Sequence, residues 1–219
     1  MSAFDGRVYV LTDRLDDGLP NRVGAALRGG ATAVQVRLKE ATARQLIHIT
    51  TALKPLCAQA GAKLIVNDRL DVALAAGADG VHLGPHDIPL EDARGLVGPD
   101  MLLGGSAGSV EAAKTLAQVA DYLGVGAIYD ARPSKADASA PRGPQILRQI
   151  CAQVSIPVVG IGGVGHGNAG ACIEAGASGV AVIRAAFVAS GKPAEIERSV
   201  AALRREVDQA LKARGGQGA

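Results

Sequence analysis

Short apolar runs of Val, Leu, Ile and Ala alternate along the chain with longer segments whose apolar residues recur every three or four positions. The short runs are typical of buried parallel strands, and the longer segments are typical of helices that cover a sheet. The pattern predicts strands at 8–12, 33–37, 63–67, 80–83, 102–106, 122–126, 157–161 and 179–183. It predicts helices between them, for example at 43–60, 145–153 and 194–213.

A similar stretch, in which a helix ends at glycine and a strand follows, starts at Gly30, Gly77 and Gly176. The starts are 47 (77 − 30) and 99 (176 − 77) residues apart. These spacings are near two and four times a period of roughly 25, the size of one strand–helix unit. A chain of 219 residues holds between eight and nine such units, and eight units close a barrel. We therefore expect an α/β fold, a single (β/α)8 TIM barrel over residues 1–213, with a disordered tail at 214–219.

The structural alternative is an open doubly wound sheet, but the chain lacks a G-x-G-x-x-G turn after the first strand. Composition supports a large aliphatic core, because 48% of the residues are hydrophobic and only 2% are aromatic. Cys57, Cys151 and Cys172 are scattered without CxxC spacing, which argues against a disulfide frame and against a zinc site.

The formal net charge is only +2, from 23 basic and 21 acidic residues. Because no single-sign field surrounds such a chain, we expect no nucleic-acid partner and no membrane partner. The sequence shows no signal peptide and no long uncharged apolar run, so we expect a cytoplasmic protein. A homo-oligomer is compatible with the sequence.

Unusual polar residues lie at the predicted strand ends, where barrels of this kind build their active sites. Asp68 follows the third strand and Asp87 follows the fourth, so the two carboxylates should lie near each other. Two carboxylates, water and a substrate phosphate are ligands that Mg²⁺ prefers. The alternative is that each aspartate merely caps the helix after it.

The segment 35–39 alternates polar and apolar residues. If the second strand continues through it, Gln35, Arg37 and Lys39 share one face, and an inward-facing set of this kind would suit a multiply charged anion. The alternative is that this polar face of the strand points outward into solvent.

The later loops offer further polar groups. Ser106 ends the fifth strand and could bond to a phosphate or lie in a simple turn, and Lys135 lies in the longest loop, at 127–142. Gly163 and the segment at Ile183 and Arg184 follow the last two strands, where backbone N–H groups form the usual phosphate cup. Structural roles are favoured for the histidines at 82 and 86, and those at 48 and 166 suggest no chemistry.

Together these motifs resemble the thiamine phosphate synthase family over about residues 8–187. The resemblance rests on the segments 35–39, 67–69, 82–89, 124–126, 134–135 and 162–164. It implies a reaction in which hydroxymethylpyrimidine diphosphate and hydroxyethylthiazole phosphate give thiamine phosphate and pyrophosphate.

The resemblance also implies a role for each matched residue. It implies Mg²⁺ as cofactor, held by Asp68 and Asp87, and Arg37, Lys39 and Lys135 as catalytic cations that stabilise the departing pyrophosphate. The pyrimidine diphosphate site would comprise Gln35, Arg37, Lys39, Asn67, Ser106, Ser134 and Lys135, and the thiazole phosphate site Gly163, Ile183 and Arg184.

The chain departs from the family pattern in two places. The loop 127–135 is one residue longer than the usual Pro-Ile-Phe-Pro-Thr-x-Thr-Lys and lacks at least one expected threonine, and Arg184 replaces a frequent serine. Two rival functions stay open. One is a thiazole tautomerase, a group that tends to lose the second carboxylate and to use a histidine near the sixth strand. The other is a non-catalytic barrel that binds a thiamine-related phosphate.

Overall fold

The computed structural model describes residues 4–130 and 140–216, which contain a closed barrel of eight parallel strands. Each strand pairs with its sequence neighbours, and β1 also pairs with β8 to close the barrel. The predicted fold is therefore confirmed, with strand bounds that agree to within a residue. The strands are β1 (Val8–Leu11), β2 (Ala33–Val36), β3 (Lys63–Asn67), β4 (Gly80–Leu83), β5 (Leu102–Ala107), β6 (Tyr122–Val125), β7 (Val158–Ile161) and β8 (Gly179–Val182).

A helix follows each strand in the described residues. The helices are α1 (Leu19–Arg28), α2 (Ala43–Ala60), α3 (Leu70–Ala76), α4 (Leu90–Val97), α5 (Val110–Leu116), α6 (Gln145–Cys151), α7 (Ala169–Glu174) and α8 (Pro193–Gly216). Local sequence explains the start of α2, where Thr42 and Gln45 form a reciprocal capping box. None of the described helices is both long enough and apolar enough to cross a membrane.

The prediction that a disordered tail begins at residue 214 is wrong for its first three residues. Helix α8 continues to Gly216, and the Arg214 guanidinium donates to the carbonyl oxygens of Ile173 and Ala177, both at 2.8 Å. These bonds to α7 and the loop after it hold the last helical turn, and residues 217–219 lie outside the described part of the chain.

The alternation of side chains along the strands builds two separate cores. Residues such as Val34 and Val36 point outward and pack beneath the helices, while Tyr9, Ile65 and Tyr122 point into the barrel. Phe4, which precedes β1, stacks on Tyr122 with ring centroids 3.9 Å apart. Side chains therefore fill the barrel interior, so a substrate can bind only at the end of the barrel.

The N-terminal ends of the strands form the lower rim, which side chains tie to neighbouring strands. The Asp79 carboxylate, just before β4, accepts the N–H of Leu64 at 2.8 Å. The Asp121 carboxylate, just before β6, accepts the N–H of Leu103 at 2.7 Å and a guanidinium N–H of Arg94 at 2.6 Å. These bonds fix strand register at the end of the barrel that is usually concerned with stability.

Candidate active site

Asp68 lies immediately after β3, at the C-terminal end of the barrel. Its φ of 62° makes it the one described non-glycine residue with a left-handed backbone, a conformation that occurs more often at functional sites than elsewhere. Its N–H donates to the carbonyl of His82 at 2.8 Å, which extends the β3–β4 ladder by one residue. The backbone therefore holds Asp68 beside the end of β4.

Asp87 lies in the turn after β4. Its carboxylate accepts the N–H of Gly84 at 2.7 Å, so the side chain folds back toward the strand end. The alternative that the two aspartates cap helices is wrong, because the N-cap residues of α3 and α4 are Arg69 and Pro89 and neither helix has a side-chain cap. Neither carboxylate therefore caps a described helix.

The C-terminal ends of the strands form the upper rim of the barrel, and the two carboxylates contact each other there. Partial burial raises the pKa of the Asp68 carboxyl above its usual value, and the charge and hydrogen-bonding contact of Asp87 raise it further. The positive charges of Arg37 and Lys39 act in the opposite direction on the same group. Asp68 therefore contacts Asp87 and lies within the electrostatic influence of Arg37 and Lys39, which follow β2.

The segment after β2 is organised differently from the prediction. The strand ends at Val36 rather than continuing to Lys39, because the chain turns there and the Ala41 N–H bonds to the Leu38 carbonyl at 3.1 Å. Arg37 is anchored by its own N–H, which donates to the Thr12 hydroxyl at 2.9 Å. The inward orientation is confirmed for Gln35, which is only 3% exposed, and the solvent-facing alternative is wrong for it.

Two further residues expected around the pyrimidine, Asn67 and Ser106, lie on inward positions of β3 and β5. Asn67 ends β3 opposite His82 of β4 in the strand register. Ser106 lies on β5, and its hydroxyl is 2.9 Å from Nε2 of His82. The structure thus brings Ser106 into direct contact with a histidine at the end of β4.

Two interior tyrosines escaped the sequence analysis. Tyr9 and Tyr122 are fully buried, their hydroxyls are 2.9 Å apart, and the Gln35 side-chain amide donates to Tyr9 at 2.7 Å. Their signal in the sequence was an aromatic hydroxyl at an inward strand position in a chain with only three tyrosines. These residues connect predicted site residues to one another.

The ends of β7 and β8 form a second part of the rim. Gly162 and Gly163 both have positive φ, at 93° and 66°, so the loop after β7 depends on glycine there. Asn168 fixes this loop, accepting the Gly165 N–H at 2.8 Å and donating to the Gly163 carbonyl at 3.1 Å. Ile183 and the exposed Arg184 follow the adjacent strand β8, so Gly163 and Arg184 both lie at the upper rim.

Few protein groups other than the paired aspartates are available to a metal ion. The described ranges, 4–130 and 140–216, contain no cluster of three or more His, Cys, Asp or Glu side chains arranged to hold one. An ion at Asp68 and Asp87 would therefore take its remaining ligands from water and substrate, a habit of Mg²⁺ rather than of structural zinc.

Comparison with known proteins decides the family. The sequence model of the thiamine monophosphate synthase family matches residues 8–186. A thiamine-phosphate synthase of Moorella thermoacetica is 50% identical over 193 residues, covering 86% of this chain and 91% of the relative. The chain belongs to the thiamine monophosphate synthase family.

Further members of the family agree in sequence and in structure. A thiamine-phosphate synthase of a Roseiflexus species is 45% identical over 212 residues, covering 95% of this chain and 89% of the relative. The solved thiamine phosphate pyrophosphorylase of Pyrococcus furiosus superposes with a TM-score of 0.83 at 36% identity, covering 95% of this chain and 98% of that one. This chain is thus an enzyme of the transferase class, in thiamine biosynthesis.

The described start of the loop that departs from the family pattern, residues 127–130, lies against the second part of the rim. Ile128 and Tyr129 donate their N–H groups to the carbonyls of Ile161 and Gly162, at 2.9 and 2.8 Å, and so prolong the β6–β7 ladder. A Cβ added to Gly163 would lie 2.7 Å from the Tyr129 Cβ. The altered residues therefore pack directly on Gly163. Ser134 and Lys135 lie outside the described residues.

Proposed function

We propose that this chain couples hydroxymethylpyrimidine diphosphate to hydroxyethylthiazole phosphate, giving thiamine phosphate and pyrophosphate. Family membership supports the activity. The observation that carries the proposal is the convergence at one rim of Asp68 and Asp87 with the positive charges of Arg37 and Lys39. A diphosphate leaving group needs this combination of a metal-binding pair and nearby cations.

Magnesium fits the chemistry of the paired carboxylates. Partial burial and the adjacent Asp87 destabilise the negative charge of Asp68 and raise its pKa, and a divalent cation bound to both side chains would relieve this destabilisation. Both donors are oxygens, which suit Mg²⁺, and the pair leaves most coordination positions for water and phosphate oxygens. When bound there, Mg²⁺ would neutralise charge on the diphosphate as it leaves. We therefore assign both aspartates as its ligands.

The protein's cations would act on the leaving group. In the proposed reaction the bond between the pyrimidine methylene and the diphosphate oxygen breaks, and its electron pair passes to the oxygen. Arg37, Lys39 and Lys135 would stabilise this added charge more in the transition state than in the ground state. The thiazole nitrogen then donates its lone pair to the cationic methylene, so no covalent enzyme intermediate and no strong base are required.

The remaining predicted residues would position the two substrates. Around the pyrimidine diphosphate we propose Gln35, Asn67, Ser106 and Ser134. For the thiazole phosphate we propose the backbone at Gly163 and Ile183 together with Arg184, because loops after the last two strands commonly bind phosphate in this fold. Holding the thiazole nitrogen in line with the methylene would supply a large part of the rate.

We place the reaction in the cytoplasm, among small phosphorylated molecules rather than nucleic acid or membranes. Cys57, Cys151 and Cys172 are free thiols, in keeping with a reducing compartment. The formal net charge of +2 supports the choice of partners. Assembly into a homo-oligomer stays a prediction, which light scattering of the purified protein would test.

The test is incubation of the purified protein with both phosphorylated halves, with Mg²⁺ or with a chelator, followed by mass spectrometry. We expect thiamine phosphate and pyrophosphate with Mg²⁺ and neither product with the chelator. Recovery of both halves unchanged under both conditions would instead support a non-catalytic binding barrel. Rearrangement of a non-aromatic thiazole precursor without coupling would support the tautomerase.

A further inference from the structure

Five polar side chains form a continuous hydrogen-bonded chain through the barrel interior. The Gln35 amide nitrogen donates to the Tyr9 hydroxyl at 2.7 Å, and that hydroxyl is 2.9 Å from the hydroxyl of Tyr122. The Tyr122 hydroxyl is 3.2 Å from Nδ1 of His82, whose Nε2 is 2.9 Å from the Ser106 hydroxyl. The chain therefore joins Gln35 on β2 to Ser106 on β5 through three residues that no proposed step uses.

Space for this chain is built into the neighbouring strands. A Cβ added to Gly104 would overlap the hydroxyl end of Tyr122 and lie 2.6 Å from Nδ1 of His82. A Cβ added to Gly124 would lie 3.1 Å from the His82 ring. Phe4 stacks on Tyr122 from the closed end of the barrel. The rings of Tyr122 and His82 are therefore held by contacts that leave them little freedom to turn.

The Gln35 amide nitrogen, as the first donor of the chain, sets the direction of the later hydrogen bonds if every buried hydroxyl hydrogen is to have an acceptor. An amide nitrogen can only donate, so the Tyr9 oxygen accepts from Gln35. The buried Tyr9 hydrogen is satisfied when it is donated to the Tyr122 oxygen 2.9 Å away, which sets the direction of that bond. Tyr122 in turn donates to Nδ1 of His82, which leaves the hydrogen of the neutral ring on Nε2. That hydrogen is donated to the Ser106 oxygen. The Ser106 hydroxyl hydrogen is then free to point away from the chain.

The protonation states required by this ordering agree with the burial of the groups. Desolvation raises the pKa of the Tyr9 and Tyr122 hydroxyls, so both keep their hydrogens at neutral pH. The His82 ring is buried and has a hydroxyl partner at each nitrogen, an arrangement that suits the neutral ring, which accepts at one nitrogen while it donates at the other.

We propose that Tyr9, Tyr122 and His82 are positioning residues that fix the direction of hydrogen bonding, so that Gln35 presents its carbonyl oxygen and Ser106 presents its hydroxyl hydrogen to the pyrimidine. Such a pair is complementary to a ring that carries an amino donor and a nitrogen acceptor. It would reject a ring with these groups exchanged, because both protein groups would lose their partners. This inference rests on the proposed function for the identity of the ring.

The hydrogen positions can be measured without turnover. In protein labelled with ¹⁵N-histidine, imidazole chemical shifts distinguish a hydrogen on Nε2 from one on Nδ1, and the spectrum of His82→Gln assigns the signal. We expect His82 to be neutral with its hydrogen on Nε2, and Tyr122→Phe to convert it to a mixture of both forms. A hydrogen on Nδ1 in the wild type would overturn the proposal, and so would an unchanged ring in Tyr122→Phe.

Binding of each substrate half alone, measured by calorimetry, provides the functional readout. In Tyr122→Phe we expect about tenfold weaker binding of the pyrimidine diphosphate, the usual cost of one misdirected hydrogen bond, and unchanged binding of the thiazole phosphate. The control is Leu203→Ala, which removes a fully buried side chain of α8 outside the barrel interior. It should lower stability and leave both affinities unchanged.

The outcomes separate this inference from the proposed function. If the wild type binds the pyrimidine diphosphate with His82 in the expected form but forms no thiamine phosphate, the proposed function fails and the hydrogen direction stands. If the wild type couples the two halves but Tyr122→Phe binds the pyrimidine diphosphate with wild-type affinity, the positioning role is wrong. Weakened binding of both halves to the same degree would also overturn it.

Discussion

Two pairs of aspartates occupy opposite ends of this barrel and have opposite surroundings. At the lower rim, Asp79 and Asp121 each accept a backbone N–H from the preceding strand, and each has a cation nearby, Lys63 at 3.8 Å and Arg94 at 2.6 Å. At the upper rim, Asp68 and Asp87 contact each other, and partial burial together with this contact raises the pKa of the Asp68 carboxyl.

This difference separates residues that stabilise the fold from residues that serve the reaction. A carboxylate that is matched by a buried N–H and a cation lowers the free energy of the folded state. Two carboxylates that repel each other raise the free energy of the folded state. Such strained pairs are found mostly at binding and catalytic sites. We therefore expect aspartate to have a structural role at the lower rim and a functional role at the upper rim.

The largest expected effect is on catalysis at the upper rim. Asp68→Asn and Asp87→Asn should each reduce kcat/KM for coupling about 1,000-fold, or about 4 kcal/mol, because a charged metal ligand is lost. Asn is the suitable replacement at position 68, since it adopts positive φ more readily than most residues. Steady-state kinetics of purified variants, with circular dichroism to check folding, would measure this.

The matched control is Asp79→Asn at the lower rim, where the amide oxygen can still accept the Leu64 N–H. Its kcat/KM should stay within about twofold of the wild type, because surface changes away from a site usually have small effects. Comparable losses in the upper-rim and lower-rim variants would remove the distinction between the two ends.

The next effect is on stability at the lower rim. Asp121→Ala leaves the Leu103 N–H without its acceptor and removes the carboxylate partner of Arg94, whose guanidinium keeps only its bonds to backbone carbonyls. It should lower the free energy of unfolding by about 3 kcal/mol. Its kcat should be unchanged. Urea denaturation would measure the loss, with the exposed Asp100→Ala at the same end as control. A loss in Asp121→Ala no larger than in the control would show that these bonds do not stabilise the barrel.

A smaller effect concerns the buried histidine beneath the upper rim. The pKa of His82 is about 4 in the folded protein and near 6.5 in the unfolded chain, so between these values the unfolded state binds more protons. The free energy of unfolding should therefore fall as the pH decreases through this window, by about 2 kcal/mol from this residue between pH 7 and pH 5.

Denaturation at several pH values would reveal the histidine as a difference in slope. His82→Gln should show a weaker dependence on pH between 7 and 5 than the wild type, whatever its absolute stability. His48→Gln, at an exposed position of α2, should keep the wild-type dependence. Equal slopes in all three proteins would mean that His82 is not held neutral by burial.

The sequence was most informative where one physical rule dominated. Short continuous apolar runs identified all eight strands, and helix α2 was predicted at its observed bounds. The conditional continuation of β2 through Arg37 and Lys39 does not occur, because a turn at Leu38 and Ala41 overrides the alternation in that segment. The end of α8 was missed because the bonds that hold Arg214 come from α7 and the loop after it, and such long-range contacts are invisible to a local pattern.

In the candidate site, too, some features could be predicted from the sequence and others depend on long-range contacts. Strand order alone predicted that Asp68 and Asp87 meet, because neighbouring parallel strands end at the same rim. Local pattern could not exclude helix capping, since an aspartate at that distance from a helix is a normal cap. The link from Gln35 through Tyr9 and Tyr122 to His82 depends on contacts between four strands, so no local motif could reveal it.

The most direct test of the account is a calorimetric titration of Mg²⁺ into the protein saturated with pyrophosphate. We predict that the wild type binds one ion per chain, and that Asp68→Asn and Asp87→Asn each bind it at least about tenfold more weakly, while Asp79→Asn matches the wild type. Wild-type affinity in both upper-rim variants would contradict the claim that these two carboxylates hold the metal.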